Sequence, residues 1–197
     1  MAELRPIERA DAAEVTRMLS RAFVDDPFLN WFLRKDAGHA AGSDLFFQVA
    51  LELSLPHGQA VMTPDGGGAA LWFPPDRWQM GFWSLLRMAP RMAKATSWRR
   101  LLGVARKLDK VLKVHPHPPH RYLYVLGVDP AQQGRGVGAA LLGPALADCD
   151  ARGIGAYLET SKEKNLGFYQ KHGFRVRDEV VLSPECTVWT MWREPIK

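Results

Sequence analysis

The run LGVDPAQQGRGVGAALL, Leu126 to Leu142, changes character at its middle. Apolar residues ending at Leu126-Gly127-Val128 predict the end of a strand, Pro130 stops it, and Gln133-Gly134-Arg135-Gly136-Val137-Gly138 opens a helix toward Ala139. Glycines allow a ligand to approach the backbone closely. A helix start adds unpaired N–H groups and the positive end of the helix dipole. Together these predict a pyrophosphate site, with Arg135 placed for a charge-assisted contact. A tight strand-to-helix connection with no ligand would use the same residues. Two other phosphate motifs do not fit. A P-loop ends in Gly-Lys-Ser/Thr, whereas Gly138 is followed by Ala139 and Ala140, and a dinucleotide fingerprint needs GxGxxG, whereas the glycines stand at 134, 136 and 138. Glu159 does lie near the offset at which that fingerprint carries an acid.

Working outward, RYLYVLGV predicts the strand before the turn. After it come a helix to Gly153, a strand (GAYLETS), a helix (EKNLGFYQKHG) and two strands (FRVRDEVVL and TVWTMWRE). Upstream, Val15, Leu19, Ala22 and Phe23 have helical spacing before Pro27, and FLNWFLRK and SDLFFQVALELSL predict two more helices. The tip Asp65-Gly66-Gly67-Gly68 predicts a hairpin. Two helices, 79–93 and 97–113, are expected before the histidine-proline stretch, with Trp98, Leu101, Leu102, Ala105, Leu108 and Leu112 as the apolar face of the second. Gly143-Pro144 predicts a kink after Leu142. The order implies one α/β domain, 1–197, with a helical insertion at 76–120.

The chain has 197 residues, 47% of them apolar, enough for a packed core. Its two cysteines, Cys149 and Cys186, suggest neither a disulfide framework nor a CxxC metal motif, which suits a cytoplasmic protein. A charged N-terminus and the lack of a long apolar run predict no secretory signal and no transmembrane helix. Residues 76–120 hold ten Lys and Arg against two Asp, a local charge of +8 in a chain of +5 overall. Such a segment, with Trp78, Trp83 and Trp98, could bind nucleic acid or an anionic membrane. A solvated helical face over a substrate cleft is the preferred reading. The expected partners therefore include neither nucleic acid nor membrane, and the chain is expected as a monomer or homodimer.

His115, His117 and His120 raise the question of a metal. The alternating prolines hold this segment extended, so the rings at 115 and 117 should not converge, and no Cys or carboxylate ligand lies nearby in sequence. No metal is expected. The stretch reads first as a rigid lead-in to the strand, and next, through His120, as part of a substrate cleft.

Val128-Asp129-Pro130 followed by Gln133, Gly136 and Gly138 resembles the acetyl-CoA turn of the GNAT N-acetyltransferases. YLETSKEKNLGFYQKHGF adds a second ordered motif, with Asn165, Phe168, Tyr169, Gly173 and Phe174 in place. Within that family the last seventy residues look most like the puromycin N-acetyltransferase branch. The resemblance implies a mixed sheet of about six to seven strands, splayed at the middle, with helices on both faces. It also implies direct transfer of an acetyl group from acetyl-CoA, the co-substrate, to a small-molecule amine such as an aminoacyl-nucleoside. A non-catalytic acyl-CoA sensor on the same fold is the alternative.

By that resemblance Gln133 to Ala139 hold the cofactor phosphates, and the pantetheine arm runs along Leu126, Gly127 and Val128. A bulge eased by Gly127 opens the slot, the Leu126 N–H faces the thioester oxygen, Asn165 and Phe168 flank the arm, and Tyr169 protonates the departing thiolate. Some members carry a glutamate where this chain has Tyr122, so Glu159 on the next strand is the candidate base, acting directly or through a water. Glu159 could instead be a strand-end carboxylate paired with a lysine. Asp25 and Asp26 could hold a cationic amine walled by Phe28 and Trp31, or could belong to a capping turn between helices.

Overall fold

The computed structural model describes residues 3–57, 59–75, 77, 78 and 82–196, with backbone alone at 82–85. Asp76, Gln79, Met80 and Gly81 of the predicted insertion, and the Trp83 side chain, lie outside the described residues.

Seven strands form one sheet: β1 (Arg5–Pro6), β2 (Ala60–Met62), β3 (Gly68–Phe73), β4 (His120–Val128), β5 (Gly155–Thr160), β6 (Arg175–Ser183) and β7 (Cys186–Arg193). Their order is β1-β2-β3-β4-β5-β7-β6. The pair β4 and β5 is parallel and the others are antiparallel, so the sheet is mixed, as the resemblance implied. The helices are α1 (Ala12–Ala22), α2 (Pro27–Phe32), α3 (His39–Ser54), α4 (Phe82–Thr96), α5 (Trp98–Lys113), α6 (Val137–Arg152) and α7 (Leu166–Lys171).

The all-apolar run of β3 has a simple cause: the strand is buried on both faces. Ala69 and Leu71 pack into a core with Val15 and Leu19 of α1 and Phe47 and Leu51 of α3. Ala70 and Trp72 pack into a second core with Leu141, Leu142 and Leu146 of α6, Leu158 of β5 and Tyr169 of α7. Each fully buried Leu or Phe in these layers contributes about 1.5–3 kcal/mol.

The feature that positions the site is the parting of β4 from β5. Their ladder runs from His120↔Gly155 to Leu123↔Leu158 and ends there, while β4 continues against β3 alone to Gly68↔Val128. A bulge coincides with the parting. Leu71 pairs with Val125 and Trp72 with Leu123, which leaves Tyr124 as the extra residue. The expected bulge at Gly127 is not found, since Gly127 pairs regularly with Ala69. Its lack of a side chain serves α1 instead: a Cβ there would lie 2.3 Å from Leu19 Cδ2 and 3.2 Å from Phe23.

The helix α6 continues through Pro144, which sits on its exposed side. One further expectation differs. The buried residues of α5 are Val104 and Val111, while Trp98 and Leu102 are 68% and 73% exposed. The position of α5 is set by Arg100, whose guanidinium donates to the Trp31 and Leu33 carbonyls, and by Val111 packing with Val180, Leu182, Cys186 and Val188.

Candidate active site

The turn after β4 begins with Asp129, whose side chain accepts from the Ala131 N–H at 3.0 Å and from Arg21 at 2.6 Å. The Arg21 contact, followed by the backbone N–H, holds this carboxyl below its ordinary range. The Asp129 N–H donates to Gly67 O at 2.8 Å, and Gln132 donates to Asp65 at 2.9 Å, so the β2–β3 hairpin tip is fastened to the turn. Gln133 donates back to Val128 O at 3.1 Å. Gly134 and Gly136 have φ of 76° and 81°, a backbone region that favours glycine, and an added Cβ at either would meet nothing within 4 Å.

Gly136 caps α6, which begins at Val137 and carries no acid in its first turn. The N–H groups of Val137, Gly138 and Ala139 precede the first intrahelical donor, Ala140. Phe168 covers Gly138, where a Cβ would lie 3.1 Å from its Cζ. Donors, positive dipole and the exposed Arg135 thus share one glycine-rich turn. The residues present fit a phosphate-bearing ligand.

At the parting, side chains of both strands alternate between the faces. Leu158 joins the α6 core, so Glu159 projects to the other face. Its Oε2 accepts from the Tyr122 hydroxyl and its Oε1 from the Tyr157 hydroxyl, each at 3.0 Å, and His115 Nδ1 stands 3.7 Å from Oε1. Its partners are therefore two phenols and an imidazole, not the lysine weighed from sequence. Burial first, and then the Glu159 charge, hold both phenols well above their ordinary range, so they remain donors. On the α6 side Tyr169 is buried against Phe168 and Phe174. Burial and then the Asp26 carboxylate raise its phenol too, which keeps its proton in place. Asn165 ends the short 3-10 turn before α7.

The acceptor-side candidates divide. Asp26 is buried, accepts from the Leu29 N–H at 2.9 Å and from the Ser161 hydroxyl at 3.0 Å, and so caps α2 and ties it to the end of β5. Burial raises its carboxyl despite these donors. The capping reading holds for this residue. Asp25 pairs with Lys162 and, at 3.3 Å, with Lys164, at the rim of a pocket that Glu185 and Trp189 also line. Phe28 and Trp31 pack together at 5.9 Å and bridge two apolar cores, with Lys107 over the Trp31 ring.

His115 and His120 do converge, unlike the pair considered from sequence: their Nε2 atoms are 3.1 Å apart, whereas His117 is exposed. Among the described residues no group of three or more His, Cys, Asp or Glu side chains is arranged to hold a metal ion. None of the helices among them is long and apolar enough to cross a membrane. Sequence reasoning missed Tyr157 and His115. The first was readable, since alternation along YLET puts Tyr157 and Glu159 on one face. The second depends on how an irregular segment folds back, for which no periodic signal exists.

A parted parallel strand pair, with an N–H-rich glycine turn at its end and a carboxylate at the parting, matches what the resemblance to the acetyltransferases implied for the fold. Comparison with known proteins narrows the class. Residues 93–174 match the acetyltransferase (GNAT) family. An uncharacterised N-acetyltransferase of Schizosaccharomyces pombe is 24% identical, over 96% of this chain and 82% of that protein. Among solved structures, a histone acetyltransferase HPA2-related acetyltransferase from Corynebacterium glutamicum superposes with a TM-score of 0.71 and 23% identity, covering 100% of this chain and 98% of that one. The polyamine N-acetyltransferase of Drosophila melanogaster, which forms N-acetylagmatine, follows with a TM-score of 0.64 and 16% identity, covering 98% and 99%. Residues 93–174 thus carry the signature of the acetyltransferase (GNAT) family, on a fold that solved acetyltransferases share.

Proposed function

We propose that this protein moves an acetyl group from acetyl-CoA to the primary amine of a small molecule. One observation carries the reading: where β4 leaves β5, a carboxylate (Glu159) and a protonated phenol (Tyr169) lie on opposite faces of the sheet. When bound, acetyl-CoA supplies an activated thioester. Gln133 through Ala139 hold its phosphates through backbone N–H groups and Arg135. The open β4 edge from Leu126 to Val128 aligns the arm, with Asn165 and Phe168 beside it and the Leu126 N–H toward the carbonyl oxygen. Glu159 takes the proton from the amine as nitrogen bonds to the carbonyl carbon. Tyr169 gives its proton to sulfur as the carbon–sulfur bond breaks.

The acceptor enters from the face that Glu159 shares with Tyr122. Asp25, Phe28, Trp31 and the buried Asp26 line or support the approach, and His120 stands behind it. Agmatine is the product scaffold of one structural relative, so a cationic or aminoacyl amine leads the candidates. Both cysteines are buried free thiols, which supports a reducing cytoplasm.

The test is calorimetric titration with acetyl-CoA, using NAD and ATP as controls, followed by CoA-thiol release against agmatine, polyamines, arylalkylamines and aminoacyl-nucleosides. Selective acetyl-CoA binding and turnover with one amine class are expected. A folded, CoA-free sample that does not bind acetyl-CoA would overturn the reading.

A further inference from the structure

Behind Glu159 lie two imidazoles that this reaction does not yet use. His115 and His120 are 4% and 2% exposed. His120 Nδ1 is 2.7 Å from the Pro118 carbonyl. A carbonyl only accepts, so this nitrogen carries a hydrogen. A second hydrogen lies between the two Nε2 atoms, 3.1 Å apart. With both rings neutral, that hydrogen belongs to His115, because His120 already holds its own on Nδ1. His115 Nδ1 then turns a lone pair toward Glu159 Oε1, 3.7 Å away, which offers lone pairs only.

One added proton resolves the mismatch. Placed on His115 Nδ1, it makes an imidazolium facing the carboxylate. The hydrogen between the rings can then cross to His120 Nε2, breaking one N–H bond and forming another, which moves the charge one ring farther from Glu159. The surroundings suit a cation. The Trp78 ring lies on His115 with centroids 3.6 Å apart and planes at 25°. Tyr122 and Tyr157 flank His115, and Tyr157 and Trp192 flank His120. The pocket that reaches His115 is lined by Lys113, His117, Arg177, Asp178 and Glu194, two fixed cations against two acids, so no single sign dominates it.

We infer that His115 and His120 together store the proton that Glu159 removes from the amine. The inference rests on the base assignment proposed above. The proton passes from Glu159 Oε1 to His115 Nδ1 as these atoms, 3.7 Å apart at rest, close to hydrogen-bond length; the carboxylate is regenerated, and the rings return the proton to solvent before the next turnover. Both rings act through Glu159, so both are positioning residues.

Imidazole nitrogen NMR on the whole protein reads the store directly. His120 should keep its Nδ1 hydrogen, and the two rings together should take up one proton, not two, as the pH is lowered. Glu159→Gln should move that uptake to lower pH. Independent titration of both rings, or a neutral His120 protonated on Nε2, would overturn the inference. In kinetics, His115→Gln and His120→Asn should each lower kcat about tenfold or more, with KM for acetyl-CoA unchanged and the imidazole limb of the pH profile lost. Wild-type kcat at every pH in both variants, beside an inactive Glu159→Gln, overturns the store and leaves the base. An active Glu159→Gln overturns the base and the store with it. Should a variant misfold, the wild-type spectrum decides.

Discussion

The Tyr122 hydroxyl donates to Glu159 Oε2 across 3.0 Å, from the strand that leaves to the strand that stays. The phenol thus orients the carboxylate proposed above as the base. Tyr122→Phe keeps the ring and removes that donor. A hydrogen bond to a charged group contributes about 1.5–3 kcal/mol. We expect kcat to fall about tenfold or more while acetyl-CoA affinity stays unchanged, read by steady-state kinetics beside calorimetry.

Tyr169→Phe tests the acid. Acid catalysis contributes about 10²–10⁴-fold, so a loss of at least that lower size is expected with acetyl-CoA binding intact. Burial, then Asp26, raises the wild-type phenol, which favours its neutral form. Activity followed up to about pH 10, the ordinary phenol value, should therefore show no decline attributable to Tyr169. A variant that turns over at the wild-type rate would remove Tyr169 from the reaction.

The Arg5 guanidinium, with the Glu8 N–H second, holds the Asp11 carboxyl down at about 2 against an ordinary 3.8. A carboxyl depressed in the fold stabilises it above the unfolded value, and the gain is lost as pH falls through the folded one. The pair is at the surface, so solvent screening keeps the gain small. Asp11→Asn should lower the thermal midpoint at neutral pH, and the gap to wild type should close between about pH 4 and pH 2. A gap that persists at the acid end would mean that the pair is not its cause.

Gly127→Ala sets a methyl group against Leu19 Cδ2 at 2.3 Å, and Leu19 is fully buried, so it yields only by repacking its neighbours. Overpacking of this kind costs about 1–3 kcal/mol. Denaturant unfolding should show that loss. A Gly134→Ala control has open space around its Cβ, so its cost should come from backbone conformation alone.

Sequence periodicity and spacing located the glycine turn, the strand before it, the two helices of the insertion and the YLETS strand with its acid. These depend on local chemistry: glycine at positive φ, proline stops, side chains alternating along a strand. What escaped depends on distant partners. The Tyr124 bulge follows from how β3 meets β4, and nothing in RYLYVLGV marks one tyrosine as surplus. The α5 contact face was misplaced because leucines lie around much of that helix, and Arg100 chooses which of them turn inward. Asp26 was weighed as a ligand or a cap, and only the distance to Ser161 and Leu29 separates the two. His115 read as part of a rigid lead-in, because proline content describes how a segment is held, not which ring it brings to which.

The bonds from Asp129 to Gly67 and from Gln132 to Asp65 tie the glycine turn to a hairpin on the far side of β4. The conformational entropy of the turn is thus spent in folding rather than at encounter with a ligand. Association of a phosphate-bearing molecule should then proceed in a single kinetic phase, with preorganisation expressed as affinity and no slow isomerisation after capture. Cutting the hairpin tether by Asp65→Ala would convert that single phase into two.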